Sequence, residues 1–260
     1  MKKEETRTGE SAVFEGMTSI SAILNGFSDG VNDRRIQRVL VDSAKTDARK
    51  KELSWLSHRA DELGFPIDTV SSDKIDALTT GSTHGGIIAE CSQRTITPLT
   101  EALIKPDGFY VMLEGIEDPY NFGYAIRSLY ACGVDGIVLS PRNWMSAAGV
   151  VCRSSAGASE RLPVYESEPT AAAEIFRGAG YKTVCAGIRD SHSSFDADMK
   201  KPVFLIVGGE KRGISGALLE TADEIVRIDY GREFSGSLSA ASAATVLGYE
   251  VLRQNRSVSK

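Results

Sequence analysis

The sequence predicts an α/β protein: a mostly parallel sheet with helices on both faces, preceded by a smaller α/β unit. Three observations predict it. From residue 109 onward, short apolar runs alternate with segments of helical periodicity. Residues up to about 97 have a strand and helix pattern of their own. Between the two, residues 92–107 are polar and hold Pro98 and Pro106, the composition of a hinge or connector. The expected boundaries are residues 1–97, a linker over 98–107, and 108–260.

In the first part, Met17–Phe27 has the pattern of a short helix and Ile36–Val41 that of a strand. Asp47 caps a helix running to about Leu63, with Leu53, Leu56, Ala60 and Leu63 at helical spacing, and Gly64 and Pro66 end it. Ile67–Val70 is the next strand, Asp73–Leu78 a short helix, and Ile87–Glu90 a strand after the turn T-T-G-S-T-H-G-G. In the second part, strands are expected at 109–114, 136–139, 182–187, 203–207 and 224–228. Helices fall between them, including Ala125–Ala131 and Thr170–Phe176, with a last one from Ser239 to Arg253. No internal repeat or low-complexity segment is visible, and the first ten and last six residues have the composition of frayed ends.

A chain of 260 residues holds one large domain or two small ones, and 42% hydrophobic with 25% charged residues is a soluble globular composition. No apolar run reaches the length of a membrane span, and the start M-K-K-E-E-T-R-T-G-E lacks a signal-peptide core. Cys91, Cys132, Cys152 and Cys185 are dispersed without C-x-x-C spacing, and the chain has three histidines, so no metal site is expected and a reducing cytoplasm fits. The net charge of −5 argues mildly against a nucleic-acid partner, but binding follows local fields. Basic residues gather at Arg34, Arg35 and Arg38, and at Lys45, Arg49, Lys50 and Lys51, diluted by Asp33, Asp42, Asp47 and Glu52. Such clusters are more often a solvated face than a binding patch, and they allow an RNA footprint without showing one.

Three segments carry the chemistry. The apolar run Phe109–Leu113 leads into E-D-P-Y-N-F-G-Y-A-I-R, Glu117 to Arg127, which reads as strand, polar loop and helix, the place where open α/β sheets put their sites. There Pro119 stiffens the loop, Asn121 serves as the N-cap, and Arg127 offers its donors to a phosphate or carboxylate. The second segment, F-L-I-V-G-G-E-K-R-G from Phe204 to Gly213, is a buried-looking strand ending in paired glycines and Glu210. The third runs from Ile228 to Glu250 and contains S-L-S-A-A-S-A-A-T-V-L-G-Y-E, whose small residues let a helix pack closely on a neighbouring backbone. Taken singly, each is also an ordinary cap, turn or core helix.

Together and in this order, the three segments resemble the SpoU/TrmH family of the SPOUT superfamily, RNA ribose 2′-O-methyltransferases that use S-adenosylmethionine. Asn121 and Arg127 match the first family motif; Gly208, Gly209 and Glu210 match the second; Ser237, Leu238, Tyr249 and Glu250 match the third. Ser239 stands where the family usually has Asn, and Ala241 where a serine is common. The front part is similar to the family's substrate-binding domain in F-E-G-M-T-S-I-S-A-I-L-N-G, R-V-L-V and S-T-H-G-G-I-I-A, with His84 read as a turn residue. The resemblance implies a SPOUT-type sheet with a C-terminal trefoil knot, a homodimer whose partner subunit completes the RNA-facing site, and ribosomal RNA as substrate, with tRNA as the alternative. It implies a cofactor site at Ile206, Val207, Gly208, Gly209, Glu210, Ile228, Ser237 and Leu238, and a catalytic set of Arg127, Asn121, Glu210, Ser237 and Ser239.

Methylating a ribose hydroxyl requires holding a cationic sulfonium, aligning one 2′-OH with its methyl group, and stabilising the charge that develops on that oxygen. Glycines at a strand end let a nucleoside lie against backbone groups, and Ile228 and Leu238 supply apolar walls. A guanidinium stays protonated, so Arg127 suits the electrostatic role better than that of a base. The Ser239 departure keeps a rival open, an RNA-binding or ribosome-assembly protein without transfer. A nucleotide-binding enzyme fits poorly, because G-G-E-K-R-G lacks the P-loop spacing, and Ser237 has no G-x-S-x-G elbow for a hydrolase.

Overall fold

A computed structural model describes residues 12–80, 84–141, 147–209 and 213–256. The chain divides into two compact units, one formed by residues 1–95 and 144–161, the other by 96–143 and 162–260. The first division falls beside the expected linker. An excursion differs from the expectation of contiguous halves: its described residues, 147–161, belong to the first unit.

In the first unit, β1 (Ala12–Glu15), α1 (Gly16–Ser28), β2 (Ile36–Asp42), α2 (Lys50–Leu63), β3 (Ile67–Val70), α3 (Ser72–Leu78) and β4 (Ile87–Cys91) follow in sequence, and α5 (Ala148–Ser154) joins them from the excursion. The sheet order is β1-β4-β2-β3, antiparallel except for β2 and β3. Phe14, Ile20, Ile23, Val39, Leu56 and Ile87 form its core, and Cys152 of α5 is buried among them. The expected helix from Asp47 begins instead with a 3-10 turn, Asp47–Arg49, before α2. Gly64 ends α2 with φ of +75°, a conformation glycine adopts without strain.

The first basic cluster does not form one solvated face. Arg34 is buried and its Nε donates to Glu160 Oε2 at 2.9 Å, while Arg38 pairs with Glu90 and Arg35 lies over the Phe27 ring. Arg153 of the excursion pairs with Glu15. Two ion pairs thus fasten residues 147–161 to the first sheet, one of them out of water, where it is strongly coupled. His84 is buried, and its Nδ1 accepts from the Gly86 N–H at 3.0 Å, as a turn residue does.

The second unit is built on an eight-stranded sheet of order β10-β12-β9-β11-β6-β7-β8-β5, every neighbouring pair parallel. Its strands are β5 (Thr97–Pro98), β6 (Phe109–Glu114), β7 (Gly136–Leu139), β8 (Val164–Glu166), β9 (Lys182–Ala186), β10 (His192–Ser193), β11 (Val203–Gly208) and β12 (Glu224–Arg227). Its helices are α4 (Pro119–Ala131), α6 (Pro169–Gly178), α7 (Gly216–Thr221) and α8 (Ala240–Asn255). Beyond β6 the chain adds β7 and β8 on one side, then crosses to build β9, β11 and β12 on the other, so the strand order reverses between β6 and β11. Buried aromatic rings brace the sheet, with Phe176 stacked on Phe204 at 4.0 Å. No helix among the described residues is long and apolar enough to cross a membrane.

Helix α4 corrects one expectation. It starts at Pro119 rather than Ala125, and Asp118, not Asn121, is its N-cap: the Asp118 side chain accepts from the Asn121 N–H at 2.9 Å. Proline fits the first helical position and aspartate is a strong cap, so D-P outcompetes the asparagine that follows. Strands β5 and β10 have two residues each, too few for any periodicity to show.

Candidate active site

The switch point between β6 and β11 is bordered by a close meeting of backbones. The Gly209 N–H donates to Glu114 O at 2.6 Å and the Gly213 N–H to Gly209 O at 2.9 Å. A side chain on Gly209 would strike the Gly115 carbonyl, and one on Gly208 would strike Gly213 and Ile214. The faces where the glycine pair lacks a side chain meet neighbouring backbone, and both glycines also border the cleft beside this junction. The pair lets the loops that follow β6 and β11 meet closely at the sheet edge.

Beside this junction opens a cleft of about 890 Å³, lined by Val207, Gly208, Gly209, Ile228, Ser237 and Leu238 among others. Six of the eight expected cofactor residues therefore border one cavity. Ile206 does not: its side chain is fully buried in the sheet core. Glu210 lies outside the described residues. The volume is that of a small-molecule site. Its walls are apolar at Ile225, Ile228 and Leu238, with backbone groups and hydroxyls between, and this combination suits a nucleoside-sized ligand.

A second hollow of about 310 Å³ holds Asn121 with Gly115, Asp118, Gly209 and Ala240. Gly209 and Ala240 line both, so Asn121 sits next to the cleft. Ser237 is exposed at its edge. Ser239 caps α8: its Oγ accepts from the Ser242 N–H at 3.2 Å and lies 3.1 Å from Ser242 Oγ. Arg127 borders neither cavity. It is exposed on α4, and its side chain makes no hydrogen bond or ion pair among the described residues. Six positions after Asn121, it projects about 120° around the helix from it.

Two cleft residues carried no signal in the sequence. Tyr230 and Phe234, in the segment between β12 and α8, are exposed aromatics lining the same cavity. Only the closure of that segment over the sheet edge reveals them. The cysteines take no part. All four are buried, and burial pushes the Cys132 thiol up to about 11 and those of Cys152 and Cys185 up to about 12, so none is a thiolate near neutral pH.

A family model described as the SpoU rRNA Methylase family matches residues 108–249, and one described as RNA 2′-O ribose methyltransferase substrate binding matches residues 15–97. The chain is 32% identical over 203 residues to an uncharacterized tRNA/rRNA methyltransferase of Mycobacterium ulcerans, covering 76% of this chain and 65% of that one. The chain thus spans less than two thirds of that relative's length. It is 28% identical over 268 residues to the 23S rRNA (guanosine-2′-O-)-methyltransferase RlmB of Shewanella oneidensis, covering 99% of this chain and 100% of that one. The crystal structure of an AdoMet-bound rRNA methyltransferase from Sinorhizobium meliloti shares the fold, with a TM-score of 0.76 at 22% identity over 95% of this chain and 88% of that one.

Proposed function

The chain belongs to the SpoU rRNA Methylase family, and on that premise we propose that it is an S-adenosylmethionine-dependent RNA methyltransferase acting on a ribose 2′-hydroxyl of ribosomal RNA. The observation that carries this reading is the cleft at the β6–β11 switch point, where Gly208, Gly209, Ile228, Ser237 and Leu238 border one cavity. The end-to-end match to a 23S rRNA enzyme favours ribosomal RNA over tRNA.

Bound there, S-adenosylmethionine supplies a methyl group activated by a cationic sulfur. The chain supplies the rest. Val207, Gly208 and Gly209 present strand-end backbone, Ile228 and Leu238 form apolar walls, and Ser237 holds the polar edge. Asn121, beside the cleft, orients the ribose. Arg127 grips an RNA phosphate and steadies the negative charge that grows on the 2′-oxygen. Ser239 fixes the start of α8 against the site.

Arg127 lies off its own cleft, which favours a homodimer in which it serves the partner's site. Tyr120 and Tyr124 on α4 and Val246 and Tyr249 on α8 are exposed, and the two helices pack together, with Gly248 held close to Leu129 and Cys132. This apolar surface is the dimer face in our reading, and the stretch from β11 to α8 is the trefoil knot. The first unit selects the RNA, and the free buried thiols fit the cytoplasm.

Calorimetric titration with S-adenosylmethionine and S-adenosylhomocysteine tests the reading, followed by mapping of 2′-O-methyl sites on ribosomal RNA. Micromolar binding and one new methylated ribose are expected. Folded protein that binds neither compound overturns the assignment. That result supports the RNA-binding rival, which is favoured by one observation, the commitment of the Ser239 hydroxyl to helix capping.

A further inference from the structure

Tyr230 and Phe234 stand on the segment that leads from β12 to α8, and the methyl-transfer chemistry above makes no use of them. Both line the cleft. Tyr230 is 38% exposed and Phe234 54%, and their rings meet edge to face with centroids 5.6 Å apart and planes at 67°. Neither ring is a loose surface side chain. The Tyr230 hydroxyl accepts from the Leu238 N–H at 3.2 Å, which ties the ring to the far end of the segment. The tip of the Phe234 ring lies on Gly236, where a β-carbon would stand 2.6 Å from Cζ. Gly236 thus leaves room for the ring to fold against the backbone. An aromatic pair pinned at both ends yet half open to water presents a preorganised stacking face.

Charge indicates what lies on it. Arg189 lines the same cleft, is exposed, and makes no ion pair among the described residues. Arg232, between the two aromatics, is also exposed and unpaired among the described residues. S-adenosylmethionine carries a net positive charge, which two guanidinium groups without an ion pair among the described residues disfavour. A polynucleotide brings a flat base and a phosphodiester together, and matches both features.

We infer that Tyr230 and Phe234 form a base-stacking platform that holds a nucleobase of the substrate RNA at the mouth of the cleft, with Arg189 and Arg232 on its phosphates. The inference rests on the methyltransferase reading for the identity of the cleft, and on the aromatic geometry for the base. Such a platform is a positioning device: it fixes the strand so that one ribose faces the cleft.

The test uses the full-length protein saturated with S-adenosylhomocysteine and a single-stranded RNA twelve-mer of uridines carrying one 2-aminopurine, whose fluorescence is quenched on stacking. Wild type should quench the probe. Phe234→Leu, which keeps apolar area but removes the ring face, should weaken probe binding about fivefold or more and lose the quench, the low end of what one stacked base contributes. Phe234→Trp should restore both. The Kd for S-adenosylhomocysteine, measured by calorimetry, should stay within about twofold in each variant. Equal quenching by wild type and Phe234→Leu overturns the platform. So does a Phe234→Leu variant whose cofactor affinity falls while probe binding is unchanged, since the ring then serves adenine. If wild type binds no cofactor but still quenches through Phe234, the platform stands and the methyltransferase reading fails.

Discussion

A β-carbon built on Gly209 would stand 2.2 Å from the carbonyl oxygen of Gly115, so the ends of β11 and β6 approach as closely as two backbones can. The obstacle is main chain, which cannot rotate aside as a side chain would. Gly209→Ala is expected to destabilise the second unit by about 1–3 kcal/mol, the usual cost of forced overpacking. It should also weaken S-adenosylmethionine binding tenfold or more, because Gly209 borders the cleft. Gly178→Ala, with nothing within 4 Å of the new methyl, is the control and should leave both nearly unchanged. Chemical denaturation and calorimetry report the two effects separately, and a neutral Gly209→Ala would refute the close-approach role.

Arg127 is exposed and unpaired within the chain among the described residues, so removing it breaks no internal contact. Arg127→Ala should shift stability by no more than about 0.5 kcal/mol, as surface changes usually do. Cofactor affinity should be retained, and turnover should fall by about 10²–10³, the scale of losing one charge-stabilising donor. Arg127→Lys should restore little, since a point charge cannot copy the planar fork. Mixing Arg127→Ala with Gly209→Ala protein tests the assignment in trans: mixed dimers should regain part of the activity. Absence of any recovery, with mixed dimers shown to form, would place Arg127 at its own protomer's site.

How much of this was legible beforehand varies with length scale. The long strands β6 and β11 and the helices α2 and α8 showed because several turns or pleats repeat one pattern. The β6–β11 switch point was implied by strand alternation and by glycines at a strand end. What escaped has physical causes. Asn121 and Asp118 are both capping residues three apart, and only the proline at 119 decides between them. Ile206 and Val207 alternate in pleat direction, so one reaches the core and the other the cleft, a choice that needs the register of β11 on β6. The burial of Arg34 depends on Glu160, far along the chain, through an excursion whose packing no local pattern records. Tyr230 and Phe234 gain their meaning from a loop closing over a sheet edge.

The hydroxyl of Ser239 accepts from the Ser242 N–H and starts α8, which separates its structural work from any chemical work. Ser239→Ala should cost about 1 kcal/mol through loss of the cap, and Ser239→Asn should not, because asparagine caps equally well. If Ser239 acts only through the helix, turnover per folded molecule should be the same in all three proteins at a temperature well below melting. A Ser239→Asn variant that gains turnover tenfold would show that the longer amide reaches the reacting groups and that serine is the weaker choice.

Arg34 and Glu160 form an ion pair out of water, with Arg34 Nη1 also donating to Ser92 O at 2.8 Å and the guanidinium 4.6 Å from the Phe14 ring centroid. Glu160→Gln preserves the shape but leaves the arginine charge buried without its counter-charge. That imbalance typically costs about 3–5 kcal/mol, far more than the loss of an exposed pair. The loss should appear first where the pair acts, at the join between residues 147–161 and the first sheet. Limited trypsin digestion should therefore cut Glu160→Gln at Arg153 or Arg161 well before wild type. The double variant Arg34→Met, Glu160→Leu removes both charges and fills the space, and should recover most of the stability. If the single and double variants are equally destabilised, the ion pair is not what fastens the excursion, and the apolar burial of Cys152 and its neighbours must do so instead.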